Sequence, residues 1–163
     1  MSSTKLDIAQ VSAGTFGPNG AVQYNVAASA TLIYPGEPVV NALGGVAVTP
    51  MATNKPVVAT DYLAGIATTT STNTAGAAGK VYVQPLLPGQ IWSIEPNSAA
   101  AYDTQAEYDA LVGKRVLIDL TSGKYTLLAA DGATSGCVIL AKNINVDKGK
   151  IYFTFRNGVS YLS

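Results

Sequence analysis

The sequence predicts a mainly β fold, a compact antiparallel β-barrel or sandwich with one short helix and an extended amino-terminal arm. Short apolar runs recur at regular intervals, and pairs such as Pro35-Gly36, Gly44-Gly45 and Asn157-Gly158 mark turns between them. A strong helix start signal occurs at one place, Thr104. Closely spaced strands of this kind are typical of barrels and sandwiches rather than of alternating layers of strands and helices.

The chain has 163 residues, close to the usual size of one domain. We predict an amino-terminal arm over residues 1–30 and a single β-rich domain over residues 31–163. Ten basic and ten acidic residues cancel, and the basic residues form no dense stripe. Nucleic acid is therefore not an expected partner, because phosphate binding depends on clustered positive charge.

Charged residues make up only 12% of the sequence, about half the typical share, so the surface must be rich in Ser, Thr, Asn, Gly and Ala. Such a surface suits burial against partner proteins, although many extracellular β-proteins are also poor in charge. The single cysteine, Cys137, lies in an apolar run and is expected to be a core residue. We expect no membrane partner, since the chain lacks a run of about 18 apolar residues, and no secretory signal, since no basic and then hydrophobic stretch occurs at the amino terminus.

The amino-terminal arm carries apolar residues at alternating positions. Val22, Tyr24 and Val26 alternate with Gln23 and Asn25. This period of two predicts a strand that begins near Ala21 and adds to an edge of its own sheet or of a neighbour's sheet. A disordered terminus is the alternative, but disordered tails seldom keep aromatic and β-branched residues at period two.

The first half of the domain reads as a series of strands. Three apolar runs within residues 31–49 predict three strands, one of which starts just after Pro38 because proline cannot donate to a sheet. Further strands are predicted at residues 63–67, 80–84 and 90–95. We expect Gly65 to allow close backbone approach. Residues 50–56 and the threonine-rich residues 68–79 are predicted loops, the latter a simple connection.

Strand 90–95 places Trp92 and Ile94 on one face, so Trp92 is expected to pack in a core or an interface rather than to bind a ligand. Beyond it, Thr104 and Glu107 fit a capping box for one short helix, with Leu111 and Val112 on its apolar side and Gly113 at its end. The remaining pattern predicts a hairpin of strands 116–120 and 125–129, then strands at residues 137–141, 151–156 and 159–162.

The sequence contains few residues that could form a catalytic site. The chain has no histidine, which excludes Ser-His-Asp and Cys-His nucleophile systems and the usual zinc sites. Ser122 and Lys124 lie in a predicted exposed turn, where the lysine would not act as a base. The acidic residues Asp103, Glu107 and Asp109 are explained by helix capping, and their spacing matches no calcium loop. We therefore predict no enzyme activity, no catalytic residue, no cofactor and no metal site.

Two segments carry a resemblance to a known family: GEPVVNALGGVAVTP, and PVVATDYLAGIATTTSTNTAGAAGKVYVQPLLPGQIWSIEP. Their glycine-marked strand, GIA-type strand, Gly-initiated VYV strand and Pro-Gly turn resemble the layout of capsid decoration (cement, or head-stabilising) proteins of tailed bacteriophages. The resemblance extends over most of the chain from about Thr31. It is one of layout and includes no catalytic signature.

The resemblance implies a virion protein that is made in the host cytoplasm and binds the outer surface of the assembled head. It would stabilise the head by bridging major capsid subunits, usually as a homo-oligomer, with a trimer expected first and a dimer second. The arm and the carboxyl terminus are the expected contact regions. The candidate interface residues are Phe16, Val22, Tyr24, Val26, Tyr161 and Leu162.

A second hypothesis is a carbohydrate- or receptor-binding β-module of a phage fibre or surface protein, which would use exposed Tyr, Trp and Asn side chains on a sheet face. An enzyme ranks third, with only unusual carboxylate chemistry left open to it, and would need a deep pocket lined by Asp103 or Glu107.

Overall fold

The computed structural model describes residues 9–12, 20–52, 60–87, 90–98, 104–131, 138–145 and 150–155. Within these residues the chain is mainly β, with antiparallel sheets and one short helix, as the sequence predicts. The elements in chain order are β1 (Ala9–Ser12), β2 (Val22–Val26), β3 (Pro38–Ala42), β4 (Thr49–Pro50), β5 (Asp61–Ala67), β6 (Gly79–Gln84), β7 (Ile91–Ile94), α1 (Gln105–Asp109), β8 (Arg115–Thr121), β9 (Lys124–Asp131), β10 (Val138–Asn145) and β11 (Lys150–Phe155).

A five-stranded sheet has the order β2-β6-β5-β3-β4. The strand predicted to begin near Ala21 is confirmed as β2, which pairs antiparallel with β6 and so adds to an edge of its own sheet. At the other edge, the chain just before β4 returns to β2, where the Val48 N–H donates to the Asn25 carbonyl at 2.9 Å. The two ends of the sheet are therefore joined through a backbone hydrogen bond.

One side of this sheet holds a set of buried aliphatic side chains, here called the inner cluster. It consists of Val26, Ile33, Val39, Val48, Ala64, Ala67, Val81 and Val83. The alternation predicted for β6 is confirmed, because Val81 and Val83 enter this cluster while Tyr82 between them is exposed. Since successive strand residues point to opposite faces, the valines select which face is buried.

A six-stranded sheet has the order β1-β7-β11-β10-β8-β9. Just beyond β7, the chain also reaches β9 on the far side of the sheet. There the Leu127 N–H donates to the Glu95 carbonyl at 3.0 Å, and the Asn97 N–H donates to the Leu127 carbonyl at 2.9 Å. The predicted hairpin is confirmed as β8 and β9, and Ser122 and Gly123 both have positive φ, as a two-residue hairpin turn requires.

The two sheets share the largest apolar cluster, here called the main core. Its buried members are Val40, Met51, Leu63, Ile66, Leu86, Trp92, Ile94, Tyr108, Val116, Ile118, Tyr125, Leu127, Ile151 and Phe153. The buried Tyr125 hydroxyl donates to the Met51 carbonyl at 2.7 Å and so ties β9 to the chain after β4. Trp92, which was expected to pack in a core or an interface, lies in the main core together with Ile94.

Gly65 allows the close approach that the sequence predicts. Its φ is +147°, and a Cβ atom there would lie 2.0 Å from the carbonyl oxygen of Gln84 on the neighbouring strand. Only glycine combines this backbone conformation with so short a distance between strands.

The capping box is confirmed at α1. The Thr104 hydroxyl accepts from the Glu107 N–H, and the Glu107 carboxylate accepts from the Thr104 N–H. The apolar side differs in part from the prediction: Leu111 packs on the main core, but Val112 is exposed and the residue that buries the helix is Tyr108. The Tyr108 hydroxyl donates to the Tyr152 carbonyl of β11 at 3.1 Å. No helix within the described residues is long and apolar enough to span a membrane.

Three predictions about residues 31–79 differ from the structure. Residues 31–34 form no strand, and residues 46–49 contribute only the first residue of the short β4. Residues 68–79 are more than a connection, because Ser71 and Asn73 are buried and bonded. Ser71 exchanges two hydrogen bonds with Ile33, one through its hydroxyl and one through its N–H. Three further predictions lie outside the described residues: the core position of Cys137, the loop at residues 53–56 and the strand at residues 159–162.

Candidate functional site

The threonine-rich segment after β5 completes the pairing of β6. Thr69 accepts the Tyr82 N–H through its hydroxyl at 3.2 Å, and the Thr68 N–H donates to the Tyr82 carbonyl at 2.8 Å. Thr72 does the same for Lys80, by accepting the Lys80 N–H through its hydroxyl and donating its own N–H to the Lys80 carbonyl. The backbones of Lys80 and Tyr82 therefore point away from β2.

This orientation decides where the backbone groups of β2 point. Gln23 lies opposite Tyr82, and Asn25 lies opposite Lys80. In an antiparallel pair, two opposed residues either bond each other or both point outward, so Gln23 and Asn25 point away from β6. Val48 occupies this edge at Asn25, whereas no residue that the structure describes bonds the backbone of Gln23. We call the stretch at Val22 and Gln23 the open edge.

Apolar side chains flank the open edge on both faces. Val22 is 45% exposed on one face, and Tyr82 of the paired strand is 45% exposed on the other. An unpaired strand edge is a template for another strand, and natural proteins normally protect it. The open edge, with an aliphatic side chain on one side and an aromatic ring on the other, is therefore the best candidate interaction site on the five-stranded sheet.

The six residues predicted as interface are distributed unevenly. Val22 lies on the open edge and is accessible, whereas Tyr24 is half-buried and packs on the inner cluster. Val26 is fully buried in that cluster, so its side chain is not on the surface of the chain. The other three, Phe16, Tyr161 and Leu162, lie outside the described residues.

A second feature, the loop that connects β3 to β4, was not among the predicted site residues. Leu43 and Val46 are 60% and 85% exposed, the highest values among the large apolar side chains that the structure describes. We call residues 43–46 the apolar loop. The Leu-Gly-Gly-Val pattern was interpreted only as a turn between strands, although aliphatic residues on both sides of a glycine pair could have indicated an exposed apolar tip.

Hydrogen bonds hold the apolar loop in one conformation. The Asn41 side-chain amide donates to the Gly45 carbonyl at 3.2 Å and to the Tyr62 hydroxyl at 3.0 Å. From β2, the Asn25 side-chain amide donates to the Val46 carbonyl at 3.2 Å. A Cβ atom on Gly45 would lie 2.5 Å from the Asn41 side-chain oxygen, so the loop closes tightly over Asn41. The loop backbone that carries the two exposed side chains is thus held before any partner arrives.

An open cleft of about 340 Å³ lies beyond the other end of β2, lined by Ser29, Ala30, Leu32, Asn73, Thr74 and Ala75. Leu32 is 37% exposed in its wall. Several polar groups of the wall are bonded within the chain. The Ser29 hydroxyl donates to the Ala75 carbonyl at 2.6 Å, and the Asn73 side-chain amide donates to the Ala30 carbonyl at 2.8 Å.

Two buried tyrosines, Tyr108 and Tyr125, have raised pKa values among the described residues. No group of three or more metal-binding side chains occurs within the described ranges. Burial raises the pKa of Tyr108, with a further contribution from the charge of Asp109, and burial raises the pKa of Tyr125, with a further contribution from Glu37. Both hydroxyls donate to backbone carbonyls in the interior. The chemistry of these tyrosines is structural.

Comparison with known proteins yields no relative. No family model matches the chain, and no similar curated protein or solved structure was found.

Proposed function

We propose that this protein is a capsid decoration protein that binds the outer surface of an assembled phage head and stabilises it by bridging major capsid subunits. The observation that carries the proposal is the open edge, where the backbone of Gln23, which no described residue bonds, lies between the exposed side chains of Val22 and Tyr82. The low share of charged residues, 12%, also suits a surface that is buried in an assembly.

Binding through the open edge would work by strand addition. An extended segment of the major capsid protein would pair with the backbone of Gln23 and cover Val22, so that backbone bonds supply affinity and the flanking side chains supply specificity. The open edge is short, and specific interfaces bury about 800 Å² per partner. The chain's terminal regions, including Phe16, Tyr161 and Leu162, are the proposed source of the remaining contact area.

Stabilisation follows from mass action. A protein that binds only the assembled head lowers the free energy of that state relative to the free subunits and resists the internal pressure of the genome. No covalent bond is made or broken, and no cofactor or metal takes part. The protein would be made in the host cytoplasm and end on the virion surface, as a trimer or, as the alternative, a dimer.

We also propose that each sheet curves into a barrel-like body rather than a flat sandwich layer. The hydrogen bond from Val48 to Asn25 supports this for the five-stranded sheet, and the bonds of Leu127 to Glu95 and Asn97 support it for the six-stranded sheet. A curved body leaves few strand edges exposed, so the open edge is one of few places where another strand could pair.

The proposal is tested by co-sedimentation with purified heads produced from the same genome without this protein. Val22→Ser combined with Tyr82→Ser removes the apolar flanks of the open edge and should lower head occupancy at least about tenfold. Val112→Ser is the matched control, because Val112 is also exposed but lies beside the helix. Wild-type occupancy by the double variant, with folding verified by circular dichroism, would remove the open edge from the proposal.

One observation favours the alternative of a carbohydrate-binding module. Tyr82, which is exposed, lies opposite Gln23 on the adjacent strand, so an aromatic and an amide side chain share one face, as in a sugar-binding surface. Trp92 is buried in the main core and is therefore not the platform. A glycan-array signal that Tyr82→Ala abolishes and Val112→Ser retains would favour this alternative over the capsid role.

A further inference from the structure

We infer that the apolar loop of one copy of this chain docks into the cleft of another copy, so that the loop and the cleft form the homo-oligomer interface. The inference rests on the oligomer included in the proposed function and names the surfaces that form it. Three observations carry it: the fixed conformation of the loop, the chemistry of the cleft, and the absence of charge on both.

The apolar loop has the properties of a preformed docking element. Leu43 and Val46 are 60% and 85% exposed, and exposed aliphatic side chains at a loop tip lose contact with water only when a partner covers them. The bonds from Asn41 and Asn25 fix the loop, so little conformational entropy is lost on docking. A loop held this way is expected to enter a preformed recess.

The cleft is suited to aliphatic side chains rather than to a polar ligand. Ser29 donates to Thr74 and Ala75 through its N–H and hydroxyl, and Asn73 donates its side-chain amide to Ala30. Because these donors are engaged, they do not supply the oriented hydrogen bonds that a sugar or nucleotide requires. The exposed surface of Leu32, together with the alanines, remains for apolar contact.

The two surfaces also match in charge and size. Neither the apolar loop nor the lining of the cleft contains a charged residue. The cleft, at about 340 Å³, lies in the size range of pockets that receive small ligands and so has room for two aliphatic side chains. A membrane is a poor alternative occupant, since Leu43 and Val46 carry about half as many apolar carbons as one myristoyl chain, which by itself anchors only weakly.

The loop and the cleft are different surfaces of one chain, so each copy offers both halves of the contact. If the rotation between successive copies closes, such head-to-tail contacts produce a ring, and a reciprocal pair of contacts produces a dimer. The inference therefore accommodates the trimer and the dimer but requires that every interface pair a loop with a cleft.

The test measures mass in solution by light scattering without any capsid. Wild-type protein is expected to be an oligomer. Leu43→Ser with Val46→Ser should weaken association at least about tenfold and shift the mass toward the monomer. Ala75→Trp, which fills the cleft from its wall, should do the same, while Val112→Ser should retain the wild-type mass. A wild-type monomer at about 100 μM, or an oligomer that neither variant weakens, would overturn the inference.

Cross-linking identifies the contact directly. Because it detects a gain of a covalent bond, its result cannot be mimicked by a variant that fails to fold. Val46→Cys and Ala75→Cys are made as separate variants, mixed and mildly oxidised. A disulfide-linked dimer that forms only in the mixture, and not in either variant alone or in wild type with its Cys137, would support loop-to-cleft docking. Equal cross-linking within the Val46→Cys variant alone would instead indicate loop-to-loop contact and contradict it. An oligomer that forms by this contact but ignores heads would refute only the capsid role.

Discussion

At Gly65 the backbone conformation and the distance between strands both require glycine. The φ of +147° is strained for any other residue, and a Cβ atom would lie 2.0 Å from the backbone of Gln84. We expect Gly65→Ala to lower the free energy of unfolding by about 2–4 kcal/mol in urea denaturation. Gly76 has open space around its Cβ position, so Gly76→Ala should stay within about 0.5 kcal/mol of wild type. Equal effects of the two substitutions would contradict the close approach.

Tyr125 links stability to pH in the alkaline range. Burial raises the pKa of its hydroxyl, so the protonated form is favoured in the folded state. Stability from this tyrosine is therefore fully present below the unfolded pKa of about 10 and decreases as the pH rises above it. Tyr125→Phe should cost about 1–3 kcal/mol at pH 7, because the buried Met51 carbonyl loses its donor.

In urea denaturation between about pH 9 and 11, the free energy of unfolding of Tyr125→Phe should decrease less steeply with pH than that of wild type. The reason is that the tyrosine of the unfolded chain ionises at about pH 10. Tyr108 is also buried with a raised pKa, so part of the alkaline dependence must remain in Tyr125→Phe. An unchanged slope would show that Tyr125 does not resist ionisation in the folded chain.

The roles of residues that act through their neighbours in the chain could be predicted from the sequence. Gly65, Thr104 and Glu107 were all found because a turn, a strand or a capping box is defined by neighbours in the chain. Asn41 was missed because its role depends on Gly45 and on Tyr62, which is 21 positions away. Val26 was predicted to be an interface residue because period two does not say which face of a strand is covered.

At the scale of the element, one side of β2 lies in the ladder with β6, and on the other side Val48 bonds Asn25 while no described residue bonds the backbone of Gln23. The Gln23 N–H points away from β6, and proline is tolerated where the missing donor faces outward. Gln23→Pro should therefore change the free energy of unfolding by no more than about 1 kcal/mol. Head occupancy in co-sedimentation should nevertheless drop, because a pairing strand loses that donor.

The control for this variant is Tyr24→Pro. Tyr24 lies opposite Val81 within the ladder, so its N–H points toward β6. Proline there should cost about 2–4 kcal/mol. If Gln23→Pro were as destabilising as Tyr24→Pro, the assigned direction of the β2 backbone groups would be incorrect.

Element prediction succeeded where strands are paired by regular ladders and failed where side chains replace them. β6 and β11 show clear alternation and were predicted close to their bounds, and β5, which is buried along its last five residues, was predicted as a short apolar run before the threonine-rich segment. Thr68, Thr69 and Thr72 complete the pairing of β6 through their backbone and hydroxyl groups, so a segment that resembles a low-complexity loop is a structural part of the sheet. Nothing in the local pattern predicts such bonds between distant segments.

At the scale of the whole molecule, the main core joins the two sheets. Val40, Leu63 and Ile66 from the five-stranded sheet share it with Trp92 and Phe153 from the six-stranded sheet. We expect one cooperative unfolding transition, with coincident midpoints for Trp92 fluorescence and far-ultraviolet circular dichroism. Two separated midpoints would show that the sheets fold as independent units.

The proposed role as a capsid decoration protein is tested most directly by its effect on the head. Purified heads that lack this protein are titrated with it, and the temperature at which they release their genome is measured. Because a ligand of the assembled state stabilises that state, the release temperature should rise with protein concentration until the sites are saturated. A release temperature that is independent of the protein, at concentrations up to about 100 μM, would contradict the proposed role.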